Sequence, residues 1–290
     1  MKGVAFNRLV AFTSTNGRRY IGDAILESGV ADLGRARRAR VIQGDIFGSC
    51  RVTDEEVEIG RLHCPLSRNR IRTVRCLGLN YGKHAHEVRA PIPKNPVLFY
   101  KPVTAITGPY NPIKVHPVAF GDGLDYECEM VVVIGKEGSD MAESEALDHV
   151  LGYTVGNDVS HRVWQMQRGG GQWSLGKGFD TWAPIGPGIV STNIIDQPQN
   201  LAISTKVNGK TVQQSNTKDM IFSIAKTISF LSQGCTLLPG DLIFTGTPEG
   251  VGMGRTPPLF LHDGDTVEIS LEKVGTICNR IEHTQPISKL

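Results

Sequence analysis

LDYECEMVVVIG, residues 124–135, is the stretch from which the fold of this chain is worked out. Its run of β-branched residues is typical of a strand that lies in a hydrophobic core. Side chains two positions apart on a strand project from the same face, so Glu127 and Glu129 are expected to lie side by side. Burying two neighbouring carboxylates costs roughly several kcal/mol unless a positive charge compensates for them.

A second apolar run, residues 150–156, ends at Asn157-Asp158, and no Lys or Arg lies within residues 124–135. If the two strands pair, Asp158 completes a cluster of three carboxylates. Three hard oxygen ligands without Cys or His suit Mg²⁺, Mn²⁺ or Ca²⁺ rather than zinc or copper. The spacing alone leaves an alternative open, in which the acids stand in water at the end of a strand.

The remaining strand and turn signals predict a mainly β, α+β fold. Asn208-Gly209 joins residues 201–207 and 211–215 as a hairpin. The strands do not alternate regularly with helices, which disfavours a doubly wound parallel sheet and favours a mixed, mainly antiparallel architecture.

Two helices are expected. Asp140 with Glu143 is interpreted as a capping pair for a helix over Ala142–Val150. Apolar residues at positions 221, 224, 228 and 231 recur at helical spacing, and Gly234 follows as a stop.

Three segments are predicted along the chain. Residues 1–68 form a small β-rich N-terminal domain with a short helical stretch near Ala31–Arg40, and a polar segment at 64–70 serves as the linker. The catalytic domain is expected over residues 69–283, and residues 284–290 form a C-terminal tail.

The N-terminus allows two interpretations. Residues 1–22 contain Lys and Arg but no acid, a composition also found in mitochondrial transit peptides. Asn16-Gly17, flanked by residues 8–12 and 19–25, instead indicates the first hairpin of the fold. The hairpin is favoured, which makes the cytoplasm the expected compartment and the mitochondrion the alternative.

The overall composition excludes several classes of partner. The net charge is +2, no basic run is present, and the longest apolar run is too short to cross a bilayer, so neither nucleic acid nor a membrane is expected as a partner. The six cysteines are scattered, which argues against both a disulfide framework and a zinc site.

Seven short motifs resemble, in the same order, signatures of the fumarylacetoacetate hydrolase superfamily and span about residues 71–282. They are Gly78-Leu79-Asn80-Tyr81, Phe99-x-Lys101-Pro102, Leu124-Asp125-Tyr126-Glu127-x-Glu129, Gly156-Asn157-Asp158-Val159-Ser160-x-Arg162, Gly176-Lys177-x-Phe179-Asp180-Thr181, Asn208-Gly209 and Thr245-Gly246-Thr247-Pro248. The stretch 165–187 looks most like the eukaryotic branch that contains the "domain-containing protein 2" members, linked to oxaloacetate tautomerisation, and related fungal proteins.

The resemblance implies a mixed β-sandwich/roll catalytic domain in a homodimer. It also implies that Glu127, Glu129 and Asp158 hold Mg²⁺ or Mn²⁺, with Ca²⁺ as a non-native occupant. These are the three acids that the charge argument selects.

The resemblance further assigns candidate catalytic residues. His84 and Glu87 match a pair that activates water in family members. Residues three positions apart also lie on one face if the stretch forms a helical turn. Their alternative is a solvated turn. Lys177 matches a family lysine beside the metal; without the motif it would be read as a surface lysine.

Candidate substrate contacts come partly from a Gly-rich loop and partly from the resemblance. Backbone N–H groups of residues 245–252, including Gly246, can form an anion-binding concavity aided by the Thr247 hydroxyl, although a plain Gly-rich turn fits equally well. Gln165 matches a family residue that touches the lid. Arg162 lacks the acid that often follows it in the family, since Val163 stands there, and His161 is an unusual titratable neighbour.

These residues predict a metal-dependent enzyme that acts on a small 2-oxo or β-dicarbonyl acid through an enolate. C–C hydrolysis of the acylpyruvase or fumarylacetoacetase kind and oxaloacetate keto–enol tautomerisation are the main expectations. The alternatives are a β-oxo acid decarboxylase, a specialised secondary-metabolite enzyme and a non-catalytic metal-binding homologue.

Overall fold

The computed structural model describes residues 4–285. The strands in chain order are β1 (Arg8–Ser14), β2 (Arg19–Ile25), β3 (Arg38–Gly44), β4 (Cys50–Leu62), β5 (Val74–Gly78), β6 (Val97–Lys101), β7 (Ile106–Thr107), β8 (Ile113–Val115), β9 (Leu124–Asp125), β10 (Cys128–Ile134), β11 (Val150–Asn157), β12 (Ser160–His161), β13 (Ala183–Ser191), β14 (Ala202–Val207), β15 (Lys210–Asn216), β16 (Leu242–Phe244), β17 (Thr266–Leu271) and β18 (Gly275–His283). The α-helices are α1 (Gly82–Glu87), α2 (Glu143–Ala146), α3 (Ser174–Lys177) and α4 (Ile224–Leu231).

Two sheets pack face to face and position the site. The long sheet runs in the order β2-β3-β4-β1-β13-β11-β10-β16-β5-β6, with β7 beside β13. The other has the order β15-β14-β17-β18-β8. Met130 and Val132 of β10 belong to the same core cluster as Ile203 and Ile269 of the second sheet. Most strand pairs are antiparallel, and the prediction of a mainly β, α+β fold is confirmed.

The strand predicted over residues 124–135 is formed only in part, as β10 in the interior of the long sheet, because Leu124 and Asp125 form β9, which pairs with β12 in a separate two-stranded sheet. Both faces of β10 are buried, since Val131 and Val133 face a second core cluster on the opposite side. Strand β10 pairs antiparallel with β11, as expected from the two apolar runs. The hairpin at Asn208-Gly209 is also confirmed, joining β14 to β15.

Residues 8–25 form the predicted first hairpin. Strand β1 pairs with β2, with β4 and, at its start, with β13, so the N-terminal strands continue into the long sheet. The chain passes from β4 to β5 through the segment at 64–70, where the boundary between two domains stays a prediction. From residue 286 onward, the predicted tail lies outside the described residues.

Two helix predictions need correction. Near Ala31–Arg40 the chain makes only a 3₁₀ turn, Leu33–Arg35, in which Asp32 accepts the Gly34 N–H, and β3 already begins at Arg38. The helix placed at 142–150 spans only α2, because a 3₁₀ turn and then β11 follow.

The capping pair assigned to that helix is also wrong. The Asp140 carboxylate accepts the N–H of Gly234 instead, at 2.9 Å. The second predicted helix is confirmed as α4, which begins after a Ser223 cap and precedes Gly234. In the described part of the chain, no helix combines the length and hydrophobicity that a membrane crossing requires.

Candidate active site

Three acids meet where β10 begins and β11 ends. Cys128 is in register with Asn157, so Glu127 and Glu129 flank the start of β10 while Asp158 directly follows β11. The Asp158 N–H donates to the Glu127 carbonyl oxygen at 3.0 Å. One carboxylate oxygen from each acid lies within 4.8 Å of the others, and all three side chains are buried. The arrangement is a closed cluster and not a row of acids standing in water.

Positive charge reaches this cluster from distant parts of the sequence. Lys177 Nζ lies 3.0 Å from Glu127 Oε2 and 2.8 Å from Asp158 Oδ2. Lys101 Nζ lies 2.7 Å from Asp158 Oδ1. Lys101 lies outside the stretch 124–135 and was not predicted as a site residue, although the family motif at β6 contains it.

The two glutamates experience opposite electrostatic environments. Burial disfavours the charged form of Glu127, but Lys177 and Arg162 outweigh it and lower its pKa to about 2. Burial, Asp158 and Glu127 together raise the pKa of Glu129 well above its ordinary value. Glu129 Oε2 accepts the Gly246 N–H at 2.7 Å, whereas Oε1 has no hydrogen-bond partner within residues 4–285.

That orphaned, buried oxygen makes the cluster suitable for a divalent cation. Glu127, Glu129 and Asp158 offer only carboxylate oxygens, which hard cations such as Mg²⁺ and Mn²⁺ prefer. The residues present therefore fit the ion that the sequence predicted.

The predicted pair His84 and Glu87 is brought together on α1. His84 Nδ1 lies 3.0 Å from Glu87 Oε2, and the imidazole is largely buried. Glu87 Oε1 accepts the Gly250 N–H at 2.9 Å, which fixes the carboxylate from its other side. His86 of the same helix is exposed. The structure therefore distinguishes His84, the partner of Glu87, from His86, which the sequence could not do.

Backbone N–H groups of the loop 245–254 bind carboxylates, as the sequence suggested. These carboxylates belong to side chains of the protein itself and not to a substrate. Gly246 donates to Glu129, Gly250 to Glu87, and Gly252 and Met253 to Asp125. These N–H groups are consequently taken by side chains of the site.

Thr247 faces the pocket near this loop. Its hydroxyl oxygen accepts a hydrogen bond from Gln213 Nε2 at 2.9 Å, which leaves its proton available to a ligand. Gln213 also accepts the Cys128 N–H at 3.1 Å and thereby ties the loop to β10. No motif or spacing in the sequence pointed to Gln213.

Arg162 finds its partner in Asp125. Its Nε donates to Asp125 Oδ2 at 2.8 Å, and Nη1 lies 2.7 Å from Glu127 Oε1 while donating to Gln165 Oε1 at 2.9 Å. Arg162 is therefore paired even though Val163 stands where the family often has an acid. Asp125 lies in the quoted stretch 124–135, but its role was not assigned.

A pocket of about 230 Å³ opens beside the acids. Its polar lining comprises six of the sequence-predicted site residues: His84, Glu127, Arg162, Gln165, Lys177 and Thr247. Gly246 and Glu87 stand behind this lining, where they hold Glu129 and His84. The structure thus brings the predicted site residues together around one cavity.

Comparison with known proteins identifies the family. The sequence profile described as fumarylacetoacetate (FAA) hydrolase C-terminal matches residues 73–282. The chain belongs to this family. The fumarylacetoacetate hydrolase fold described above is shared with a 2-hydroxyhepta-2,4-diene-1,7-dioate isomerase from Mycobacterium marinum, at a TM-score of 0.79 and 36% identity, over 97% of this chain and all of that one.

Curated relatives place the chain in one branch of the fumarylacetoacetate hydrolase family. It is 43% identical over 256 residues to the mitochondrial oxaloacetate tautomerase FAHD2A of Bos taurus, covering 88% of this chain and 78% of that protein. It is 42% identical over 281 residues to the fumarylacetoacetate hydrolase domain-containing protein 2 homolog of Dictyostelium discoideum, covering 89% and 92%. The predictions of the family, of the domain-containing protein 2 branch and of an enzyme are confirmed.

Proposed function

We propose that this protein is a Mg²⁺- or Mn²⁺-dependent enzyme that acts next to the carbonyl of a small 2-oxo acid. Keto–enol tautomerisation of oxaloacetate is the first reaction to test, because the bovine relative carries that name. The observation that carries the proposal is that one pocket is lined both by His84, which is paired with Glu87, and by Glu127, which belongs to the cluster of three carboxylates.

Glu127, Glu129 and Asp158 would hold the cation. When bound, it would supply Lewis-acid polarisation of the substrate's carbonyl oxygen. Lys177, whose ammonium lies against two of these acids, is itself held charged. Burial opposes the charge, but Asp158 and Glu127 raise its pKa above the ordinary value.

His84 is proposed to move the proton at the carbon beside the carbonyl. Because Glu87 lies against Nδ1, the tautomer is fixed and Nε2 is the nitrogen left to accept or return a proton. Partial burial of both side chains keeps competing water away from the pair. Thr247 and Gln165 are proposed to orient the carboxylate of the substrate.

The same pair supports C–C hydrolysis as a second candidate. A histidine that accepts a proton from carbon can equally accept one from water. The water oxygen would then bond to the second carbonyl carbon of an acylpyruvate, the C–C bond between that carbon and the pyruvate fragment would break, and its electron pair would leave as pyruvate enolate, to which His84 would return the proton. Decarboxylation of a β-oxo acid would use the same pocket. The identity of the substrate decides which of these reactions follows.

Assembly and compartment are also proposals. We propose a homodimer, as the family resemblance implies, which light scattering of the purified protein tests. We propose the cytoplasm as the compartment because residues 8–25 belong to the folded sheet. The mitochondrion is the alternative, since the bovine relative is named mitochondrial. Imaging of a C-terminal fluorescent fusion against a mitochondrial marker distinguishes them.

The activity is tested by following the ultraviolet absorbance of oxaloacetate enol and of acylpyruvates with Mg²⁺, Mn²⁺ or chelator. Turnover should require the cation and should fall at least about 100-fold in Glu129→Gln and Glu127→Ala. Because glutamine keeps the shape of Glu129, a loss of turnover in Glu129→Gln reports the missing carboxylate and not a misfolded protein. Cation binding in calorimetry without turnover of either substrate would instead favour a non-catalytic metal-binding homologue.

A further inference from the structure

Asp125 is fully buried, and its carboxylate accepts four hydrogen bonds, two on each oxygen. Oδ1 accepts the N–H groups of Tyr126 and Gly252, at 2.8 and 2.7 Å. Oδ2 accepts a hydrogen bond from Arg162 Nε at 2.8 Å and one from the Met253 N–H at 3.0 Å. Asp125 does not line the pocket, so it acts on the site through its charge and through the groups that it holds.

The first of these groups is the guanidinium of Arg162. Nε and Nη2 both lie 2.8 Å from Asp125 Oδ2, so one edge of the planar group faces Asp125. The remaining nitrogen, Nη1, lies 2.7 Å from Glu127 Oε1 and donates to Gln165 Oε1 at 2.9 Å. A planar group that is held along one edge has a fixed direction, and Asp125 therefore aims Arg162 at one of the proposed metal ligands.

The second group is the loop at residues 250–254. The Gly250 N–H donates to Glu87 Oε1 at 2.9 Å, and the other oxygen of Glu87 lies against His84. Two residues further on, a Cβ at Gly252 would lie 2.7 Å from Asp125 Oδ1, so the loop rests directly on this carboxylate. Asp125 is thus connected to the His84–Glu87 pair through a short piece of backbone.

The balance of charge around the carboxylate cluster gives Asp125 a second importance. Within residues 4–285, the three proposed metal ligands form ion pairs with three cations: Lys101, Arg162 and Lys177. Three ionised carboxylates and three cations leave no net charge to attract a divalent ion. Asp125 is a fourth carboxylate, and by pairing with Arg162 it leaves the group with a net negative charge.

We propose that Asp125 is a positioning residue that joins the two halves of the site. It neutralises Arg162, so that Glu127 stays available to the cation, and it holds the loop that orients Glu87. The proposal rests on the proposed function and extends it to a residue outside the pocket lining.

Asp125→Asn removes the charge and keeps the size of the side chain. Since both oxygens accept hydrogen bonds, the amide nitrogen must face donors on one side. Arg162 is then balanced by Glu127 alone of its two acids, and calorimetry on the metal-free protein should give a Kd for Mg²⁺ at least about 10-fold higher than in the wild type. At saturating Mg²⁺, kcat in the oxaloacetate assay should fall at least about 10-fold, because the loop no longer orients Glu87.

A second substitution should rescue the affinity for metal but not the turnover. In Asp125→Asn/Arg162→Gln the unbalanced cation is gone, so the Kd for Mg²⁺ should return to within about threefold of the wild type. Turnover should stay low, because the loop still lacks its acceptor. Arg162→Gln alone should lower the Kd or leave it unchanged, and this variant tests the charge balance even if Asp125→Asn does not fold.

Asp241→Asn is the matched control. Asp241 is also buried and also faces an arginine, with Oδ2 3.8 Å from Arg75 Nη2. It lies at the other end of β10, where its carbonyl oxygen accepts the Ile134 N–H. Asp241→Asn should lower the melting temperature but leave both kcat and the Kd for Mg²⁺ within about twofold of the wild type.

The outcomes separate the proposal from the proposed function. An Mg²⁺ affinity that is equally weak in Asp125→Asn and in the double variant, or weaker in Arg162→Gln than in the wild type, would overturn the role of Asp125 in the charge balance. An unchanged kcat in Asp125→Asn would overturn its role in holding the loop. In each case turnover by the wild type would leave the proposed function standing. If the wild type turned over neither oxaloacetate enol nor an acylpyruvate while the Kd values changed as expected, the proposed function would be contradicted and the charge balance supported.

Discussion

Lys101 and Asp158 form an ion pair inside the protein, with Nζ 2.7 Å from Oδ1 and both side chains fully buried. The lysine stands at the end of β6 and the aspartate just beyond β11. Lys101 also donates to the carbonyl oxygens of Val159 and Trp182, at 3.0 and 3.1 Å. It therefore balances the charge of one proposed metal ligand and holds the backbone on both sides of the site.

Replacing Lys101 should make the stability of the folded protein depend more strongly on bound metal. Lys101→Met leaves a buried carboxylate short of a cation, and we expect the free energy of unfolding without metal to fall by about 3–5 kcal/mol. Because less positive charge then competes for the acids, added Mg²⁺ should raise the melting temperature more in the variant than in the wild type. Thermal unfolding with and without Mg²⁺ measures both effects.

Lys83→Met is the control for that experiment. Lys83 is 67% exposed and lies 3.7 Å from Glu249, so its loss should cost at most about 1 kcal/mol and leave the response to Mg²⁺ unchanged. Equal effects of the two substitutions would show that the buried pair has no special role.

The His84–Glu87 pair should govern turnover but not metal binding. His84→Asn removes the proposed base and Glu87→Gln weakens its orientation, so kcat should fall about 10²–10⁴-fold, with the larger loss for His84→Asn. Neither side chain belongs to the carboxylate cluster, and the Kd of Mg²⁺ in calorimetry should stay within about threefold.

The neighbouring histidine offers a matched control. His86 lies on the same helix but is exposed, and His86→Asn should change kcat less than about twofold. If His86→Asn abolished turnover while His84→Asn did not, the base would have to be reassigned.

Gly246 is required by both its conformation and its surroundings. Its φ is +93°, and a Cβ would lie 2.7 Å from Cβ of Asn80. Gly246→Ala should destabilise the protein by more than about 2 kcal/mol and lower turnover, because its N–H orients Glu129. Urea unfolding and the oxaloacetate assay measure these effects.

A second glycine separates the two causes. Gly209 has a φ of +76° with nothing within 4 Å of a Cβ, so Gly209→Ala shows the conformational cost alone, about 1 kcal/mol, with normal turnover. Equal costs at the two positions would mean that the contact with Asn80 is relieved easily.

Because of His161, the free energy of unfolding should decrease as the solution becomes acidic. Burial, with a smaller contribution from Arg168, lowers its pKa below the ordinary 6.5, although its own backbone and that of Ala119 oppose this. The folded state therefore prefers the neutral ring. The stability it contributes is fully present above pH 6.5 and is lost as the pH falls through the lowered pKa.

The test compares His161→Gln with the wild type. Between about pH 8 and about pH 5.5, the variant should lose less of its free energy of unfolding in urea. His262→Gln, at a side chain that is 69% exposed, should follow the wild type. A steeper loss of stability in His161→Gln would contradict the assignment.

Local patterns were sufficient for much of the fold. The apolar runs at 124–135 and 150–156 predicted β10 and β11, and Asn208-Gly209 predicted its hairpin, because turn chemistry and side-chain alternation are properties of neighbouring residues. The ends of helices were predicted less well from local patterns. Asp140 resembles a cap, but in the folded chain its carboxylate meets Gly234, which lies 94 positions further on.

The set of acids and the family of the chain could be predicted without a structure, since two strands and an ordered set of motifs carry that information. The contacts that balance these acids became visible only in the folded chain. Lys101 reaches Asp158 from β6, while Asp125 of β9 holds Arg162 and Gln213 of β15 holds the Cys128 N–H beside the acids, and contacts between strands so far apart in the chain leave no periodic trace in a sequence. The pairing of charges is fixed by which strand ends meet when the sheet forms.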